Sequence, residues 1–398
     1  MKCPLGIVIL SMPPGPTKFL LTLQLDMPVC VPSARYSLVK GERLSATDNY
    51  LHARFSLRIQ VALLLPSSQT AKLTPFVSHA AVMASLPRID PAQVLAYEFP
   101  QSRFTYTERD VALYALGVGA AGADPCNPSE LPFVYHPDGQ SSIKVLPTFT
   151  VLYPVGFLDV ISSISGLHYD PNLLLHGEQY IEIYQDIPTN ATIRNSIKVS
   201  GLHDKGKAAI FELETISYND DTGALLCMNR STIFLRGAGG FSTSGKPYSF
   251  SNRTNAGIVT RTATKKDLAG ERSPDSVFED RIQPSQALLY RLSGDYNPLH
   301  SDPSFAKKAG FQQPILHGLC TLGYATRSVI KCLCEGDPRL VQSVQGRFLL
   351  HVFPGETLIT EMWKDEGQNR VDYKLKVQER NKVVLAGSIT LKPALSRL

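Results

Sequence analysis

Apolar positions along this chain fall into two similar series. Each opens with helix-period segments and closes with a succession of strand-like runs. In the first, Ala112, Leu113 and Leu116 give an apolar face to a helix that Thr107 caps, with Asp110 in the capping-box position. A second apolar helix is predicted over Val145–Phe157. Strands are predicted at Gln179–Tyr184, Ala191–Leu202, Ala208–Tyr218 and Leu225–Leu235. In the second series Ser285–Leu292 reads as a helix and Leu316–Leu333 as a longer one. Strands follow at Val341–Val352, Glu356–Lys364, Arg370–Gln378 and Val383–Leu391. Residues 241–276, rich in Gly, Ser, Thr and Lys, read as a linker.

The two series are copies. Leu113-Tyr114-Ala115-Leu116-Gly117 aligns with Leu289-Tyr290-Arg291-Leu292-Ser293, and Val145-Leu146-Pro147-Thr148 with Ile315-Leu316-His317-Gly318. The expected architecture is α+β: a duplicated unit of one long helix against an antiparallel sheet, at residues 83–240 and 277–393. Residues 1–82 fit neither copy and read as a poorly ordered extension.

Charge and composition narrow the function classes. The net charge is +5, and residues 1–82, with eight Lys/Arg against three Asp/Glu, account for all of it. The remaining body is neutral, which argues against a nucleic-acid surface. No apolar run approaches the roughly 20 residues of a membrane span. Seven scattered cysteines form no disulfide framework, and the lone Cys332/Cys334 pair has no partner pair for a metal.

Two motifs mislead. Gly117, Gly119 and Gly122 spell a dinucleotide fingerprint, but they follow a helix, where Gly117 is expected as a C-terminal cap. Gly240 to Lys246 nearly spells a phosphate loop, but Pro247 occupies the position of the metal-binding hydroxyl.

The chemistry concentrates between Tyr290 and Ala306. Asp295 and His300 stand five residues apart across a turn built by Gly294, Asn297 and Pro298. A carboxylate and an imidazole aimed at one point can move protons to and from a bound water. His317-Gly318 opens the next helix, whose free amides and dipole stabilise a developing anion. His317 itself is expected to bond locally at the helix start. On residue type alone His176 reads as a buried, satisfied histidine. The matching loop of the first copy lacks both proton-transfer groups.

Tyr290 to Ala306 resembles the signature of the hydratase-2 (MaoC-like, R-specific enoyl-CoA hydratase) family. The resemblance extends from about Leu86 to Leu391, through Leu175-His176-Gly177-Glu178-Gln179-Tyr180, Asp204-Lys205-Gly206 and Gln345-Gly346-Arg347-Phe348. It implies a double hot-dog fold, with two long helices each wrapped by a curved sheet, and interconversion of trans-2-enoyl-CoA and (3R)-3-hydroxyacyl-CoA. It implies Asp295 and His300 as the catalytic pair and Gly318 N–H as the oxyanion donor. Asn297 would help hold water and substrate, with Tyr296, Pro298 and Leu299 beside it. His176, Gly177, Lys205 and Phe348 would line the CoA and acyl path, and the first copy would make room for the acyl chain. CoA is then part of the substrate, and neither a cofactor nor a metal is expected. His300 is the favoured base and Asp295 the proton donor; the reverse stays open. A homodimer is compatible, although a duplicated chain already contains one pair.

The terminal Ser396-Arg397-Leu398 is similar to the peroxisomal Ser-Lys-Leu signal, which an import receptor reads, and implies a targeting tail at 394–398. Two other readings are a mitochondrial 3-hydroxyacyl-thioester dehydratase, which the basic leader favours, and a non-catalytic acyl-CoA-binding module, which the Asp295/His300 pair disfavours.

Overall fold

A computed structural model describes residues 88–154, 157–254 and 272–393, with three short strands nearer the N-terminus. The chain divides into two compact units, Met1–Val77 and Ser78–Leu398. In the first, Ile7–Val8, Phe19–Gln24 and Arg58–Leu63 pair antiparallel. The rest of the predicted extension, and the tail 394–398, lie outside the described residues.

The second unit is built on one antiparallel sheet. Its strands are β1 (Ser102–Tyr106), β2 (Leu174–Ile183), β3 (Ala191–Asp204), β4 (Ala208–Asn219), β5 (Leu225–Arg236), β6 (Ser249–Ser251), β7 (Ser276–Arg281), β8 (Val341–Phe348), β9 (Thr357–Asp365), β10 (Arg370–Val377) and β11 (Lys382–Leu391). The order is β7-β9-β10-β11-β8-β2-β5-β4-β3-β1, with β6 paired to β3. The series reads the same from either end. β8 and β2 are the equivalent strands of the two copies, and they pair at the centre from Ser343↔Glu182 to Arg347↔Glu178. The predicted duplication is therefore a two-fold repeat within a continuous sheet. The edge strands β1 and β7 are short alternating segments that the sequence reading missed; β7 begins at the last residue of the expected linker.

The helices are α1 (Pro91–Leu95), α2 (Glu108–Gly117), α3 (Phe157–Ser163), α4 (Gln286–Tyr290), α5 (Pro303–Lys308) and α6 (Gly318–Leu333). α2 has the expected capping box at Thr107 and Asp110. It ends differently from expectation. Gly117 is its last helical residue, and Gly119, at φ +82°, makes the left-handed turn. Ala120 N–H then reaches Ala115 O (2.9 Å) and Gly119 N–H reaches Leu116 O (3.0 Å), a Schellman ending. A Cβ at Gly119 would overlap the Tyr324 ring of α6, so the glycine also permits close packing between the copies.

The copies differ most in their central helices. α6 runs 16 residues, and Cys320 to Ile330 are all buried. The helix expected over Val145–Phe157 does not form. A 3₁₀ stretch at Pro147–Leu152 stands there, and α3 begins only at Phe157. Pro147 and Pro154 bracket the segment, and Thr148, Thr150 and Val151 are β-branched, so an α-helix loses donors and side-chain freedom. Buried amides satisfy its carbonyls instead. Asn229 Nδ2 donates to Thr150 O (3.0 Å) and Asn195 Nδ2 to Tyr153 O (2.7 Å). Gln179 and Ser217 in turn donate to these two asparagines (3.0 and 2.8 Å). Each unmade buried bond would cost about 1–3 kcal/mol.

Arg327, on α6, joins the copies. It is 1% exposed and pairs with Glu130 of the first copy and Asp280 of β7 (2.7 Å), while its Nε donates to Val118 O (3.0 Å). Part of the expected linker is also ordered. Asp204 accepts from Gly240 N–H (2.9 Å) and Ser242 N–H (2.8 Å), so the near-phosphate-loop binds the protein's own carboxylate. Burial would raise the Asp204 pKa, but these bonds, Ser242 Oγ and Gly206 N–H outweigh it and hold the carboxyl down at about 2.

Candidate active site

The site grows from the junction of α4 with α6. α4 tightens into a 3₁₀ turn at Arg291–Ser293, and Gly294 reverses the chain at φ +121°, a conformation costly for any side chain. Two side-chain turns then wind the loop. Asp295 Oδ1 accepts Asn297 N–H (3.2 Å), and Asn297 Oδ1 accepts Leu299 N–H (3.1 Å). Asn297 therefore spends its carbonyl oxygen shaping the turn. Pro298 starts the 3₁₀ turn Pro298–His300, which carries His300 inward to 8% exposure. The Asp295 side chain stays 43% exposed. Tyr296 is exposed, with the Arg291 guanidinium 4.9 Å over its ring.

One donor or acceptor atom from each of Asp295, His300 and His317 lies within 4.8 Å of the others. His300 Nδ1 is 2.8 Å from Ile315 O. A carbonyl only accepts, so Nδ1 carries the proton and the neutral ring offers an unprotonated Nε2. Burial lowers the His300 pKa; the Asp295 carboxylate and the Ile315 carbonyl pull upward without cancelling that. The imidazole is thus neutral and basic at neutral pH.

His317 departs from expectation. It does not bond locally: its Nε2–H donates to the backbone carbonyl of Asp295 (3.1 Å), and its ring stacks on His300 with centroids 3.7 Å apart. Burial first, and His300 second, push its pKa down to about 2, so it is neutral. The three groups are close enough for a cation on distance alone. However, the His317 nitrogen 3.9 Å from the Asp295 carboxylate is the protonated one, which suits hydrogen bonding rather than ligation.

Gly318 is the first residue of α6, where a helix amide has no acceptor within the helix. The Phe348 ring lies 3.3 Å from where a Gly318 Cβ would stand, and His176 meets Phe348 edge-on at 5.1 Å. Burial drives His176 down to about 4, against the upward pull of the Glu178 carbonyl (3.2 Å). Asp295, His300, Gly318, Phe348 and His176 thus form one neighbourhood.

Gly177 and Lys205 lie elsewhere. Gly177 sits in a bulge of β2, between His176 and Glu178, and Lys205 in the β3–β4 turn. Both line a cavity of about 480 Å³ shared with Glu178, Glu212, Arg253 and Arg347. Along β8 the cavity residues Ser343, Gln345 and Arg347 alternate with Val344, Gly346 and Phe348, so it opens on the face of the sheet away from α6. β2 begins, β8 ends and the β3–β4 turn closes at the same end of the sheet, which puts this cavity and the Phe348 neighbourhood at a common edge. The roles of the Ile315 carbonyl and of His317 were not foreseen; a backbone acceptor leaves no mark in side-chain identity.

Comparisons with known proteins give the family and the fold. Residues 104–237 match the MFE-2 hydratase 2 N-terminal domain, and residues 266–387 match the MaoC-like domain. The chain is 58% identical to "Enoyl-CoA hydratase 2, peroxisomal" of Arabidopsis thaliana over 77% of its own length and 96% of that protein. It is 37% identical to "Peroxisomal multifunctional enzyme type 2" of Mus musculus, over 80% of this chain and 40% of that one. The crystal structure of a MaoC-like dehydratase from Phytophthora capsici superposes with a TM-score of 0.62 at 31% identity, over 76% of this chain and 99% of that one. With the duplicated sheet and the acid–imidazole turn, these matches establish that the chain belongs to the hydratase 2 family of MaoC-like hot-dog proteins.

Proposed function

We propose that the protein catalyses reversible syn hydration of trans-2-enoyl-CoA to (3R)-3-hydroxyacyl-CoA in peroxisomal fatty-acid β-oxidation. The observation that carries this reading is the fixed tautomer of His300, with Nδ1 held by Ile315 O and Nε2 open beside the Asp295 carboxyl. The peroxisomal and hydratase names of the relatives support the substrate class and the compartment.

The steps follow from elementary chemistry. The thioester carbonyl makes C3 electrophilic. His300 Nε2 takes a proton from water as the oxygen bonds C3, and the π electrons move onto the carbonyl oxygen. Gly318 N–H stabilises that enolate charge, a contribution of about 3–4 kcal/mol in comparable sites. Asp295 is the donor to C2: the proton it delivers as the carbonyl re-forms is replaced by the one His300 has taken from water. Return of the proton from His300 to Asp295 resets the pair. The chain's own groups complete this proton balance, so the reading invokes no cofactor; CoA enters as part of the substrate.

Phe348 and His176 hold the thioester end, Tyr296, Asn297, Pro298 and Leu299 shape the wall, and Gly177 and Lys205 receive the CoA portion at the common edge. An import receptor reads Ser396-Arg397-Leu398. The direct test supplies a medium-chain trans-2-enoyl-CoA and resolves the product enantiomers: a (3R) alcohol supports the reading, and an (S) alcohol or no hydration refutes it. Deleting Ser396–Leu398 is expected to leave a fluorescent fusion in the cytosol; unchanged peroxisomal import would refute the targeting role.

A further inference from the structure

His317 touches every part of the proposed catalytic apparatus without holding a position from which its own proton is free. Its ring is 1% exposed and stacks on His300 at 3.7 Å and 27°. Its Nε2–H is committed to the Asp295 carbonyl, 22 residues earlier. Its backbone caps α6 with extended dihedrals (φ −60°, ψ 137°), so that Gly318 is the first helical amide. On its other side Tyr290 meets it at 4.8 Å. Its Nδ1 is buried with no hydrogen-bond partner among the described residues. A buried imidazole with an unspent nitrogen costs free energy that an apolar ring would not, so what the ring supplies must lie in the other nitrogen and the stack.

We infer that His317 is a positioning residue: through its Nε2–H bond it locks the Asp295 turn to the start of α6, holding the carboxyl, the His300 ring and the Gly318 amide in one register. This deepens the proposed hydratase reading and rests on it. The charged or titratable groups around the ring are His300 beneath it, Tyr290 on its other side, where burial raises the phenol's pKa and keeps it neutral, Asp295 at its edge and Arg291 from the preceding turn. The ring stays neutral among them, so it transfers no proton and acts only as a donor. Among the described residues the two segments are otherwise joined by Ile315 N–H to Leu299 O (3.4 Å) and His300 Nδ1–H to Ile315 O (2.8 Å), both at the His300 end of the loop, so without the His317 bond the stretch carrying Asp295 can drift from the helix start. Displacements of that kind degrade a reaction by misplacing groups, which lowers turnover rather than substrate binding.

The experiment separates the donor from the ring. His317→Phe keeps a stacking ring and removes the donor. His317→Gln places an amide N–H near the former Nε2 and removes the ring. With folding checked by thermal melting, the Phe variant is expected to lose about 10–100-fold in kcat, with KM changed less than about threefold, as for other groups that orient a reactive residue. The Gln variant is expected to recover at least about tenfold of that loss. Wild-type kcat in the Phe variant, a loss confined to KM, or a Gln variant as slow as Phe would each overturn the inference. If the Phe variant does not fold, His317→Met, similar in volume and without a donor, takes its place with the same outcomes. Failure of the hydratase reading looks different: the wild-type protein itself would not hydrate an enoyl-CoA.

Discussion

The two copies of the repeat share strand order, pairing and a short helix before the central segment, yet the acid–imidazole turn is found in the second alone among the described residues. In the second copy His317-Gly318 opens a 16-residue helix, and His317 bonds the Asp295 turn from its start (3.1 Å). In the first, Pro147-Thr148 stand at the same point and start a 3₁₀ stretch. Pro147 replaces the His317 ring and Thr148 takes the place of Gly318, in a 3₁₀ stretch whose Thr150 and Tyr153 carbonyls accept from Asn229 and Asn195. The difference between the copies thus extends beyond two side chains: where the second copy starts an α-helix, the first has a 3₁₀ stretch. In exchange it supplies Glu130 to the buried Arg327 of the other copy, so each copy completes something in its twin.

The largest expected effect comes from making the second copy resemble the first at the pair. Asp295→Asn or His300→Ala should lower kcat by about 10²–10⁴-fold with the melting temperature preserved, measured by steady-state hydration and circular dichroism. Turnover near wild type in either would break the comparison. Next in size is the joint between copies. Arg327→Ala takes the ion-pair partner from Asp280 and leaves Glu130 only Lys331 (3.3 Å), and should destabilise by about 3–5 kcal/mol in denaturant unfolding. A loss under 1 kcal/mol would mean the copies do not depend on that cluster.

A sharper probe of the helix start is Gly318→Pro. Proline is accepted at the first helical position, and His317 already has the extended backbone that a following proline requires. The variant removes only the amide proton there, apart from the ring's contact with Phe348, and should cost about 10²–10³-fold in kcat with α6 intact. An undiminished rate would assign the oxyanion donor elsewhere.

Acid titration gives the smallest effect. His317 has a folded pKa near 2 against an ordinary 6.5, so the unfolded chain binds the extra proton first. Stability from this group is full above about pH 6.5 and falls as pH drops toward 2; at pH 5 the loss is about 2 kcal/mol. His317→Gln should flatten that part of the stability curve. Equal acid slopes in the two proteins would show that the ring is not buried neutral.

Much of this was legible in the sequence where local preference and tertiary demand agree. The α6 pattern, the eight long strands and the Gly294–His300 turn all announce themselves through period or turn chemistry. What escaped was set by partners distant in the chain. β1 and β7 are short edges whose identity depends on the strands they join. The apolar run at Val145–Phe157 has the composition of a buried helix, and only its prolines and the buried asparagines reveal why it is not one. The segment after Gly240 reads as linker because nothing local says that Asp204 will bind it. The tautomer of His300, which decides its chemistry, depends on one backbone oxygen of Ile315.

The most direct test is hydration of trans-2-decenoyl-CoA with chiral analysis of the product, run side by side for wild type and His300→Ala. Wild type should give the (3R)-3-hydroxy thioester, and the variant, equally folded, should give almost none. An (S) product, or the same yield from both proteins, would contradict the central role of the acid–imidazole turn.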